Sequence, residues 1–190
     1  MDTDTHTFCM MIRNRSDENR RAMHCFSILH DVLSPAFSIL RQELDSMIRV
    51  IYLLQIIDPV ERRRLIQCTF RGEKWRVSTS KGKSRDVTDR EMIDLAQQLQ
   101  GWTRSVYRFG CAFVHLSDFH NHLTQNPFQK LSEEDKQDIL SHMRYYHGGP
   151  LHDNPDMKEI SEYLPQVFDK IADNLMCYLE QLERGETDDK

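Results

Sequence analysis

The sequence predicts an all-α fold, an antiparallel helical bundle of about five main helices in one domain spanning residues 1–190. Three observations carry that expectation. Apolar residues recur at three- and four-residue spacing over long runs, which is the period of a helix with one buried face. With 7 Gly and 6 Pro in 190 residues, the chain lacks the punctuation that many short strands need. Several periodic runs also open on a helix-start signal, Ser-Pro, Asp-Pro or a capping box.

In chain order, residues 1–15 show no clear periodicity and are expected to form a flexible arm. Ser16 is the expected N-cap of a first helix whose stripe is Met23, Phe26, Leu29 and Leu33, with His24 and His30 off it as ordinary histidines. Ser34-Pro35 opens a second, central helix, apolar on nearly all sides through Leu40, Leu44, Met47, Ile51 and Leu54. Within it Arg41, Asp45 and Arg49 stand four apart and can pair along the surface. Glu43 has no partner at that spacing, so it either faces solvent or meets an arginine from another helix. Asp58-Pro59 starts a shorter helix or continues the second after a kink.

Residues 71–90 then hold seven Lys/Arg against three acids, and 71–87 read as an exposed basic loop. Such a loop is usually just solvated. With one aromatic it could also track a phosphate backbone and stack a base. The capping box TDRE at 88–91 launches a third long helix with the stripe Met92, Leu95, Leu99, Trp102, Val106, Phe109 and Phe113. Asn126-Pro127 ends it, a capped fourth helix stops at Gly148-Gly149-Pro150, and Asn154-Pro155 caps the last helix, which kinks or restarts at Pro165. Residues 184–190 are an acidic tail.

The net charge of −5 is uneven, with 7 Lys+Arg against 15 Asp+Glu from Lys130 onward, so a generic polyanion-binding surface is not indicated. Five cysteines without CxxC spacing suit reduced thiols, and the first fifteen residues lack the basic start and apolar run of a signal peptide. The most apolar stretch, 37–57, is broken by four charges and does not read as a membrane span. A soluble, cytoplasmic protein with no membrane partner is expected. Without GxGxxG, Walker or GxSxG patterns, dinucleotide, nucleoside-triphosphate and serine-hydrolase chemistry are disfavoured.

Candidate chemistry concentrates in RSVYRFGCAFVHLSDFHNH, residues 104–122. On a helix Arg108 and His115 project from one face, roughly 10 Å apart along the axis. Arginine can brace the charge of a phosphorane while histidine moves a proton near neutral pH, which is the minimum for cleaving RNA without metal, and a second copy across a twofold axis would double it. Arg104, Ser117 and Glu43 are the expected supporting residues. Lys74, Trp75, Lys81, Lys83 and Arg85 are the expected RNA contacts. His115, His120 and His122 offer a metal site as an alternative, with weak spacing; no cofactor is expected otherwise.

The R-x6-H motif RFGCAFVH near the end of the third long helix, together with SILRQELDSMIRVIYLL in the second, resembles the higher eukaryotes and prokaryotes nucleotide-binding (HEPN) superfamily. That resemblance covers roughly residues 20–180 and implies a dimerising helical bundle. In active members it implies a metal-independent endoribonuclease of toxin, antiviral or RNA-processing systems, with RNA, a second copy, and a protein partner or antitoxin as the partners. Carried over, Arg108 is the motif arginine and His115 the motif histidine. Phe109 departs from the polar residue that commonly follows the arginine. A non-catalytic nucleotide-binding or protein-interaction module is therefore the other expectation.

Overall fold

The computed structural model describes residues 2–28, 32–78 and 82–187. Leu29, His30, Lys81 and residues 188–190, which figure in the expectations above, lie outside the described residues. The fold is all-α, as the periodicity predicts, with a single small hairpin among the described residues.

Helix α1 runs from Thr3 to Ile28, so the expected arm is instead helical from Thr3 onward. Asp2 caps it: its Oδ1 accepts from the N–H groups of Asp4 (3.0 Å) and Thr5 (3.1 Å). Phe8, Cys9 and Ile12 supply a buried stripe, too sparse to show as periodicity in so polar a segment. Ser16, expected as the cap, therefore sits mid-helix and buried. Burial pushes the Cys9 thiol up to about 12, which keeps it protonated and inert.

Helix α2 (Leu33–Leu54) is the axis of the molecule and lies against α1 and three helices that follow it. Phe37, Leu44, Met47, Ile48, Ile51 and Leu54 have no solvent exposure, which accounts for a helix apolar on nearly all sides. Asp58 caps α3 (Pro59–Phe70) through the Val60 N–H, making it a separate helix and not a kinked extension. The expected basic loop then closes into an antiparallel hairpin, β1 (Arg76–Ser78) and β2 (Ser84–Asp86), with Val77 opposite Arg85.

The third long helix is two helices. Thr88 caps α4 (Asp89–Gln100), and Gly101, at φ 75°, ends it in the left-handed conformation that a side chain resists. The chain restarts as α5 (Thr103–Val114). Within α4 the buried face runs through Met92, Ile93 and Ala96, and Leu99, expected on the stripe, is exposed. Two 3₁₀ turns (Asp118–Asn121 and Pro127–Lys130) lead to α6 (Glu133–His147), which stops at Gly148 as expected. The cap expected at Asn154 falls on Asp156 and opens only the short α7 (Met157–Ser161). The last long helix, α8 (Leu164–Glu183), restarts at Pro165.

Helices α8 and α5 flank α2, with α4 packed on both α2 and α5, and α1 across α2 and α8. Between α1 and α2 lies the fully buried Glu43. It is neither solvated nor paired with an arginine: Ser16 Oγ donates to one carboxylate oxygen and Asn19 Nδ2 to the other at 2.9 Å. Two neutral donors thus satisfy a carboxylate where an ion pair was the natural guess. Among the described residues no helix is long and apolar enough to cross a membrane.

Candidate functional site

Helix α5 is seated by aromatic rings. Phe113 stacks on Phe37 of α2 (centroids 4.1 Å, planes 5° apart), and Phe109 meets Phe37 edge-on at 5.1 Å. Phe119, from the turn that follows, packs edge-on against both at 5.4 and 5.5 Å. The helix comes close enough to α2 that a Cβ on Gly110 would stand 3.0 Å from Arg41 Cβ. Arg41, for its part, lays its guanidinium 4.2 Å over the Tyr107 ring. This packing fixes the rotation of α5 about its axis. Phe109 faces inward as an anchor, and its neighbour Arg108 is left outside.

Arg108 is 63% exposed, and its Nη1 donates to Asp135 Oδ1 of α6 at 2.5 Å. Asp135 also accepts from Ser132 Oγ at 2.8 Å, within the cap of α6. A shallow groove of about 70 Å³ runs between α5 and α6 beside this pair, with Asp138 on its far wall accepting a hydrogen bond from Ser105 Oγ. The groove holds one guanidinium and two carboxylates. Asp135 engages only Nη1, so the remaining guanidinium donors of Arg108 stay open to solvent.

His115 does not continue the helix. It is the C-cap residue, with extended backbone (φ −99°, ψ 142°), so the expected two-turn alignment with Arg108 on one helix face is replaced by a histidine at the helix end. The cause is Ser117. Its hydroxyl donates to the Ala112 carbonyl at 2.5 Å, satisfying one of the last open acceptors of α5, and accepts from the Phe119 N–H at 3.3 Å, capping the 3₁₀ turn. The His115 side chain is exposed, and no described residue hydrogen-bonds its ring.

The other expected residues are dispersed. Arg104 is on the first turn of α5, its Nη2 on Asp94 at 2.8 Å. Glu43 belongs to the α1/α2 seam and does not line the groove. The basic segment is largely self-neutralised: Arg85 grips Glu91 with both nitrogens (2.6 and 2.8 Å), and Arg76 and Lys74 flank Asp86 at 2.9 and 3.6 Å. Lys83 is exposed. Trp75, expected to stack a base, is instead 3% exposed, with Nε1 donating to Thr69 Oγ1 at 2.9 Å and Arg49 lying 5.4 Å over its ring. It is the hydrophobic footing of the hairpin.

The histidines of the alternative metal site are not gathered. His120 Nδ1 faces the Ser117 backbone at 3.3 Å and His122 Nδ1 the Phe119 carbonyl at 3.1 Å, both rings resting near Phe113. Among the described residues no cluster of three or more His, Cys, Asp or Glu is placed to hold a metal ion. Asp135 escaped the sequence reading because, apart from its capping position three residues after Ser132, nothing local marks it as the partner of an arginine 27 residues earlier.

No protein-family model, curated protein or solved structure matches the chain.

Proposed function

We propose that this protein is a HEPN-like, metal-independent endoribonuclease of the cytoplasm, with a composite site formed when two copies bring their α5 ends together. The observation that carries the reading is the division of labour on α5. Phenylalanines take up its inner face, and the motif residues Arg108 and His115 are both left exposed, outside the core. Neither is needed to close the fold. Flanking His115 in the chain, Val114 and Leu116 are 50% and 93% exposed, apolar surface of the sort a second copy would cover.

In this reading neutral His115 takes the proton of a 2′-hydroxyl as that oxygen attacks the adjacent phosphorus. The bond to the 5′-oxygen breaks, and the protonated His115 of the other copy supplies the leaving oxygen with its proton. Arg108, released from Asp135, holds the non-bridging oxygens as charge builds on them. The products are a 2′,3′-cyclic phosphate and a 5′-hydroxyl. Lys83, with Lys74 from the hairpin's edge, extends the contact to the RNA backbone.

A non-catalytic interaction module, docking a protein partner or antitoxin, is the second reading. Two observations favour it: Arg108 is already engaged by Asp135, and Phe109 is an anchor where a polar residue is common in active members. Cleavage of a panel of RNAs in EDTA separates the two. The nuclease reading expects His115→Ala to lose about 10²- to 10⁴-fold in rate with the fold intact by circular dichroism. Unchanged cleavage in that variant, or none by the parent protein on any RNA, overturns it.

A further inference from the structure

Beside the groove that holds Arg108, and sharing Ser105, Phe109 and Ile139 with it, lies a cavity of about 70 Å³ where α2, α5, α6 and α8 meet. An apolar cavity of roughly 150 Å³ holds benzene. The space here is about half as large, so on the order of three or four heavy atoms fill it. Neighbouring contacts keep it from closing. Phe113 stacked on Phe37, and Gly110 set against Arg41, fix how near α5 comes to α2, so the walls cannot simply move in.

Phe37, Leu40, Val106, Leu164 and Val167 are among the walls, and the surface turned to the cavity is apolar throughout. The polar residues on its border keep their polar atoms elsewhere. Ser105 commits its hydroxyl to Asp138, and Lys170, from α8, lays its ammonium 3.6 Å over the Tyr146 ring. Trp102, 3% exposed, borders the space with ring carbon. A charged or hydrogen-bonding molecule would leave water there and meet nothing in return. Water is no better served, since it needs about two to four polar partners in such a place. An apolar molecule has no such cost, and it supplies the dispersion contacts that the lining side chains lack on their open side.

We infer that this cavity is a binding site for a small, neutral, apolar molecule, a hydrocarbon or halocarbon of about three or four heavy atoms, lying against Phe37, Val106 and Val167. Size and wall chemistry select the class together. The volume rejects a whole aromatic ring and the body of a nucleotide, and the apolar lining rejects acids, amines and amides of the right size. Entry is from the seam between α6 and α8. Among the described residues α6 packs chiefly on α5, and Tyr146, which lines the cavity from α6, is 40% exposed.

The inference is independent of the ribonuclease reading, and its test uses no RNA. Isobutene and acetamide share one planar, Y-shaped skeleton, and only acetamide forms strong hydrogen bonds. The full-length protein, with its methyl groups labelled with carbon-13, is titrated with each and followed by NMR. Isobutene is expected to bind saturably and to shift the methyls of Leu40, Val106, Leu164 and Val167, with an affinity about tenfold or more above that of acetamide. Val106→Phe fills the space from α5 and Val167→Phe fills it from α8. In either variant, with the fold intact by circular dichroism, isobutene binding should fall by about tenfold or more. No saturable binding up to the solubility of isobutene, acetamide bound as tightly, or shifts confined to methyls elsewhere would each overturn the assignment. Undiminished binding in a folded, filled variant would do the same. If neither variant folds, the isobutene-against-acetamide comparison and the map of shifted methyls decide it without them.

Discussion

Two polar clusters on this molecule each centre on a carboxylate, in opposite settings. At the α1/α2 seam, Glu43 is sealed from water and held by Ser16 and Asn19. On the outer strip of α5, Arg108 reaches Asp135 across solvent, the arginine 63% and the aspartate 34% exposed. The first cluster cannot exchange partners without leaving a buried carboxylate unsatisfied, so it fixes how two helices meet. The second loses little when broken, because water replaces either partner. A tight contact distance does not separate a structural cluster from a usable one. Burial does.

The largest expected effect lies on the buried side. Glu43→Ala should cost about 2–4 kcal/mol, leaving the Ser16 and Asn19 donors unmet beside a small void. Urea unfolding reads this directly, and a loss below about 0.5 kcal/mol would show that the seam relaxes as freely as the surface. Next comes the seat that aims the outer strip. Gly110→Val would push against Arg41 Cβ, 3.0 Å from an added Cβ. About 1–3 kcal/mol of lost stability is expected, with a shifted α5 and, if Arg108 and His115 act on RNA, reduced cleavage.

Between the extremes stands Arg13–Glu183, a two-pronged pair joining α1 to α8 at 2.5 and 2.9 Å, each side chain about a quarter exposed. Hydrogen bonding to Arg13 holds the Glu183 carboxyl below its ordinary 4.5. A depressed folded-state value stabilises the protein above pH 4.5, and the gain is lost as pH falls through the folded value. Glu183→Gln should therefore cost about 0.5–1 kcal/mol at pH 7 and close to nothing once the carboxyl is protonated in both states. Denaturation at the two pH values checks it; an equal cost at both would mean the pair acts through packing alone. The smallest effect is expected from Asp135→Asn, within about 0.5 kcal/mol of the parent. If Arg108 acts on RNA, its consequence should be functional, because freeing that guanidinium should tighten RNA binding. A stability loss of 2 kcal/mol or more would erase the contrast between the two clusters.

Much of the architecture was legible in the chain. The Asp58-Pro59 cap, the TDRE box, the Gly148 stop and the Pro165 restart all work through neighbouring residues, so local chemistry was enough to place them. The helix over residues 3–15 was not legible, because its cap is Asp2 and its sparse apolar face becomes a stripe only against α2 and α8. Gly101 was passed over because a single glycine within a periodic run reads as tolerated until its φ is known. Trp75 in a basic segment resembled a stacking platform, yet its indole is buried below the hairpin.

For the candidate site the division is sharper. The sequence by itself determined that Arg108 would lie on the polar flank of a helix whose other side is phenylalanine-rich, since that follows from spacing alone; the same spacing put His115 on that flank too, where the helix no longer runs. Only the tertiary structure decided that α5 ends at Val114, that Asp135 takes Arg108, and that Glu43 is met by a serine and an asparagine. The same holds for Trp102 and Lys170, 68 positions apart in the chain and brought to one cavity. Periodicity reports which face of a helix is buried. It carries no record of what comes from elsewhere in the chain to meet that face, because those contacts depend on packing angles set by all the helices at once.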